Sequence, residues 1–109
     1  MDIAKAALCM EKLGHPTRLE IVRALVRAGP EGLKVGEVQR HLDIPASTLS
    51  HHLLNLVTVG LVSQVRHGRV LRCRADYDLM ADLVAVLTEE CCVDVGGHVD
   101  DKPEDRKAG

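Results

Sequence analysis

A chain of 109 residues with one Tyr, no Phe and no Trp is sized for one domain on the usual scale of ~100–200 residues, with a core that Leu, Val, Ile, Ala and Met must fill. No apolar run reaches the ~18 residues of a membrane-spanning helix, and the N-terminus lacks the charged-then-apolar layout of a signal peptide. A soluble cytoplasmic protein is expected, in which four Cys point to metal or redox chemistry before structural disulfides. The net charge of −2 hides an asymmetry: residues 15–75 carry nine Arg and Lys against four acids, and residues 76–105 carry ten acids against Lys102. A basic nucleic-acid module with an acidic appendage is distributed in this way.

Residues 2–13 read as a helix, with Ile3, Ala6, Ala7, Met10 and Leu13 at helical spacing and Gly14 ending it. Pro16 suits the first turn of a second helix, and Thr17 with Glu20 has the spacing of a capping box. Leu19, Ile21, Val22, Leu25 and Val26 supply its apolar stripe, and Gly29-Pro30 stops it. Residues 34–42 read as a third, short helix, with His41 near its last carbonyls. Asp43-Ile44-Pro45 is a short turn into a fourth helix. Two helices joined so closely make a helix-turn-helix. Residues 61–66 and 69–75 read as strands joined by a His67-Gly68 turn, with Leu71, Cys73 and Ala75 facing inward. Asp76 caps a fifth helix whose stripe is Leu79, Met80, Leu83, Val84, Leu87 and Cys91. The expected fold is mainly α with a small β-hairpin wing, a winged helix-turn-helix of five helices and a two-stranded antiparallel wing. Residues 1–92 form the DNA-binding and dimerisation domain, and residues 93–109 an acidic tail expected to be disordered.

The fourth helix carries the most information. At 100° per residue Leu49, Leu53, Leu56 and Val57 fall on one face and Ser47, Thr48, His51 and Asn55 on the other. The outer face has no Lys, Arg, Asp or Glu, where a solvated helix normally carries charge. Small hydroxyls, an amide and imidazoles are the groups that hydrogen-bond base edges and phosphates in a DNA major groove. The DNA-binding set is therefore Ser47, Thr48, Ser50, His51, His52 (half-buried) and Asn55 from this helix, Lys34 and Arg40 from the one before it, and Arg66 and Arg69 at the wing tip. Adjacent helical His residues point apart, so His51 and His52 make a poor metal chelate.

Leu13-Gly-His-Pro-Thr-Arg-Leu-Glu-Ile-Val22, Ser47-Thr-Leu-Ser-His-His-Leu53 and Gly60-Leu-Val-Ser63, followed by the wing, resemble the ArsR/SmtB family of bacterial metal- and metalloid-responsive repressors over residues 1–92. The resemblance implies a homodimer in which the first and last helices pack across a two-fold axis, operator DNA as partner, and release of that DNA by an inducer. Half-sites one helical turn, ~34–36 Å, apart would be read by the two recognition helices.

Cys91 and Cys92 are the chemical signal outside the DNA-reading module. Thiolates select soft, thiophilic species, and trivalent arsenic or antimony fits two neighbouring sulfurs plus a third. Both sulfurs reach one ion only if the helix ends or unwinds there. Thr88-Glu-Glu-Cys-Cys92 is similar to the Cys pair of an arsenite-responsive branch of the family. There a third Cys follows; here His98 lies in that region, and Cys9, in the first helix, is the third-thiol choice. The Cys-x-Cys motif of other family sensors is replaced by residues 33–38, and no His accompanies Asp76, Asp78 and Asp82. Zinc or cadmium, or a lead-type sensor, is the alternative, with Cys91, Cys92, His98 and a fourth donor in a tetrahedral set. A thiol redox switch at the pair is a second alternative. A protein-interaction winged helix or thiol metal buffer is a third. No nucleophile–base–orienter set, glycine-rich phosphate loop or paired catalytic carboxylates is present, so no enzyme is expected.

Overall fold

The computed structural model describes residues 1–95. Helix α1 (Ile3–Leu13) starts on Asp2, whose Oδ1 accepts from the Lys5 amide at 2.7 Å. It buries Ala6 and Cys9. Helix α2 (Pro16–Ala28) starts differently from expectation. The N-cap is His15, whose Nδ1 accepts from the Thr17 amide at 3.1 Å. Pro16 already occupies the first helical position, which leaves Thr17 inside the helix and unable to cap it. Gly29, at φ 90, ends α2.

The next segment corrects the sequence reading. Leu33–Lys34 form a strand, β1, and helix α3 begins only at Val35 (Val35–Leu42). Strand β1 pairs antiparallel with β3 (Val70–Ala75), Leu33 opposite Cys73 and Lys34 opposite Arg72. The wing sheet is therefore three-stranded, in the order β1-β3-β2, with β2 at Val62–His67. Gly32 makes this possible: it sits at φ 70, and a Cβ there would overlap the Cys73 carbonyl oxygen. Arg72 fastens the crossing, with Nε donating to the Glu31 carbonyl at 3.1 Å and Nη2 to the Gly32 carbonyl at 3.4 Å.

Helix α3 starts where the Lys34 amide donates to Glu37 Oε1 at 2.8 Å and ends on Asp43 in the left-handed region, φ 53. Two residues later Pro45, in an extended conformation, leads into α4 (Ala46–Thr58). The hairpin turn lies one residue later than expected. His67 pairs with Val70, and Gly68-Arg69 is the turn, with Gly68 at φ 63. A His67-Gly68 turn of the favoured kind would put His67 at positive φ; the observed register gives that position to glycine.

Helix α5 (Tyr77–Thr88) is capped by Asp76, whose Oδ1 accepts from the Leu79 amide at 2.9 Å. It stops three residues before Cys91, which therefore does not finish its stripe. A 3-10 turn follows at Val93–Val95. The core is aliphatic: Ile21 and Leu25 of α2, Val38 of α3, Leu49, Leu53 and Leu56 of α4, with Leu61, Val62 and Cys73 of the wing. Burying each such Leu or Ile contributes roughly 1.5–3 kcal/mol. Helix α1 closes one side by packing on α4 and α5, and Lys5 Nζ donates to the Val59 carbonyl at 2.8 Å. No helix among the described residues is long and apolar enough to cross a membrane.

Candidate nucleic-acid interface and cysteine pair

Leu49, Leu53 and Leu56 fix the rotation of α4 by entering the core. The side this leaves open is Ser47, Ser50, His51, Leu54 and Thr58, all exposed. The expected face is thus turned slightly: Thr48 and Asn55 are half-buried. Asn55 Nδ2 donates to the His51 carbonyl at 2.9 Å, which uses one of its two amide hydrogens locally. Leu54, 65 % exposed, joins the face and was not singled out by the sequence reading.

His52 is corrected more strongly. It is buried, not half-buried and not on the outer face. Its Nδ1 accepts from Arg18 Nε at 3.1 Å, and its ring lies 4.6 Å from that of His15, tilted by 49°. Arg18 also donates through Nη1 to the Lys12 carbonyl at 3.3 Å. An acceptor at Nδ1 requires the uncharged ring. Burial, then the neighbouring His15, Arg18 and His51, push the His52 pKa below the ordinary histidine value. His52 is therefore a link that ties the start of α2 to the middle of α4, and does not touch DNA.

The basic residues converge. Lys34 and Arg40 beside α3, and Arg66 and Arg69 at the wing tip, line one concave surface of about 540 Å³ with Gly36, Glu37 and Val70. Glu37 is the acid in this lining, and its carboxylate already accepts from the Lys34 amide. Four cations around a groove beside an uncharged helix face make a surface for phosphates flanking a base-reading element. His41 is exposed in the last turn of α3 and makes no hydrogen bond to a carbonyl among the described residues. It lies instead beside Glu20, Arg23 and Arg27.

The cysteine pair has the geometry its chemistry requires. Cys91 and Cys92 Sγ atoms lie 3.2 Å apart. After α5 ends, Glu90 and Cys92 take φ 59 and φ 65, and these left-handed residues replace the ~100° divergence of helical neighbours. Cys91 is exposed and Cys92 half-exposed. Cys9 is elsewhere: fully buried in α1, its Sγ 3.9 Å from the Val59 carbonyl. Among the described residues no group of three or more His, Cys, Asp or Glu converges to hold a metal. His98 lies outside the described residues. Cys73 is core as expected; burial pushes its thiol pKa up, and Gln64 Nε2 donates to it at 3.7 Å.

A family model described as a helix-turn-helix domain matches residues 13–65. The HTH-type transcriptional regulator YgaV of Escherichia coli K12 is 27% identical over 88 residues, 81% of this chain and 87% of that protein. The transcriptional repressor BigR of Xylella fastidiosa is 31% identical, with a TM-score of 0.62 over 79% of this chain and 85% of that one. An ArsR-like transcriptional regulator from Rhodococcus sp. RHA1 is 27% identical, with a TM-score of 0.67 over 77% of this chain and 76% of that one.

Proposed function

Since the chain belongs to the ArsR/SmtB family of winged helix-turn-helix transcriptional regulators, we propose that it represses transcription as a homodimer on operator DNA and leaves that DNA when trivalent arsenic or antimony binds Cys91 and Cys92. The observation that carries the inducer is the 3.2 Å separation of two accessible thiols on a chain segment outside any helix. Arsenic(III) and antimony(III) supply a soft centre with three thiolate bonds. The described residues offer two of the three donors. The fully buried position of Cys9 beside the Val59 carbonyl argues against it within one chain. A partner's thiol or a small external thiol supplies the third more readily.

Release follows from linkage: an inducer that binds the DNA-incompetent dimer better lowers operator affinity by the same factor, with ~1–3 kcal/mol typical of such coupling. The segment holding the thiols leaves α5, which packs on α1. Both helices expose apolar residues that a partner subunit would cover, so the pair stands next to the proposed dimer contact.

A second reading has support from the same distance. Two thiols so close can give up two protons and two electrons to hydrogen peroxide or a comparable oxidant and form a vicinal disulfide. A zinc or cadmium site is less favoured, because it needs donors beyond the pair and none converges among the described residues.

The deciding experiment follows operator binding while the reduced protein is titrated with arsenite, antimonite, zinc, cadmium and, separately, hydrogen peroxide. Arsenite and antimonite are expected to release the parent and to leave a Cys91→Ser/Cys92→Ser protein bound. Release of that double variant at the parent's arsenite concentration would end the vicinal-thiol proposal.

A further inference from the structure

Leu54 occupies a place on α4 where the core has no claim on it. Leu53 and Leu56 point inward and are buried, whereas Leu54 is 65 % exposed. A single exposed leucine is ordinary on a protein surface. Its position makes this one informative. Residues 47, 50, 51 and 54 follow the i, i+3, i+4, i+7 spacing of one helix face, and Ser47, Ser50 and His51 are exposed on it. That face carries no charge, and the cations stand to its side, around the groove shared by α3 and the wing. Val35, Val57 and Leu71 back Leu54 along a shallow groove of about 340 Å³, so the side chain has carbon behind it and open space in front.

A DNA major groove offers hydrogen-bond donors and acceptors from every base pair and one apolar group, the C5-methyl of thymine. The hydroxyls of Ser47 and Ser50 and the imidazole of His51 match the polar edges. An aliphatic side chain between them matches only the methyl. Resting on the DNA-binding reading above, we infer that Leu54 is a specificity-determining residue that selects thymine at one position of each half-site by packing on its methyl group. Burying one such carbon corresponds to about a fourfold change in affinity.

The test uses the full chain and a duplex that the protein itself enriches from a random-sequence pool. Each thymine of that duplex is replaced in turn by deoxyuridine, which removes the methyl and keeps the pairing. One position per half-site is expected to weaken the parent about fourfold. Leu54→Ala is expected to bind the thymine and deoxyuridine duplexes equally, and Leu54→Met, which keeps an apolar reach, to restore the difference. An enriched site indifferent to every replacement, or a penalty undiminished in Leu54→Ala, overturns the role of Leu54 while DNA binding stands. Failure of the parent to enrich any duplex overturns the DNA-binding reading itself, and this inference with it.

Discussion

Gly32 acts through the side chain it lacks. Its φ of 70 and the Cys73 carbonyl facing the absent Cβ let β1 lie against β3. Gly32→Ala should lower stability by more than ~1 kcal/mol, because steric overlap adds to the unfavourable φ. A urea midpoint equal to the parent's would show that the β1 crossing tolerates a Cβ. His52 makes a pH-dependent contribution of known sign. Its folded pKa is lowered, chiefly by burial and further by His15, Arg18 and His51. Between that value and the ordinary ~6.5 the unfolded chain binds more protons, so stability rises with pH there. The contribution is complete above ~6.5 and is lost as pH falls toward the depressed folded value. His52→Gln retains an acceptor for Arg18 without the titration. Urea unfolding at several pH values should show a shallower acid-side loss in the variant than in the parent. Neither residue could be read in this role from the sequence. His52 lies beside His51 in the chain, and only the rotation of α4 sends one ring inward and the other out.

The elements differ in how much of them the sequence disclosed. Five helices and a wing follow from apolar periodicity and from Gly and Pro punctuation, and all are present. Strand β1 did not show itself because two residues have no alternation to detect. Its existence depends on Gly32 and on Arg72 reaching back across the chain. The hairpin turn was displaced by one residue because His-Gly satisfies a two-residue turn in the sequence, while only glycine takes the left-handed position. The end of α5 was misplaced because Cys91 continues an apolar spacing that the backbone abandons at Thr88. Yet this early ending is what brings the thiols together. The basic residues of α3 and the wing were legible as a set, and their shared groove required the fold. Arg69 therefore supports a prediction at this scale. Arg69→Ala should weaken operator and random duplex alike and reduce the slope of log affinity against log salt by about 1. An unchanged slope in a salt titration would remove the wing tip from the phosphate contacts.

At the scale of the whole molecule, the core is built without Phe or Trp, and much apolar surface stays outside it. Ile3 and Leu8 of α1 and Val84 and Leu87 of α5 are exposed at 73, 43, 60 and 68 %. Helices α1 and α5 also pack on each other, so their outer residues can form one continuous apolar surface. A second copy of the chain is the partner that fits, since a two-fold dimer would cover the same patch on both subunits and set two recognition helices against one duplex. Leu87→Glu, preferably combined with Val84→Glu, places charge in that contact and leaves the monomer's core untouched. The variant should keep its helical circular dichroism and sediment as a monomer at micromolar concentration. Its affinity for a duplex with two half-sites should fall by at least ~100-fold, because the second recognition helix no longer arrives at high effective concentration. The salt slope should fall by about half, since one subunit's phosphate contacts remain. A variant that stays dimeric would place the interface on another face. Monomeric sedimentation together with undiminished affinity for the two-site duplex would separate assembly from DNA reading altogether.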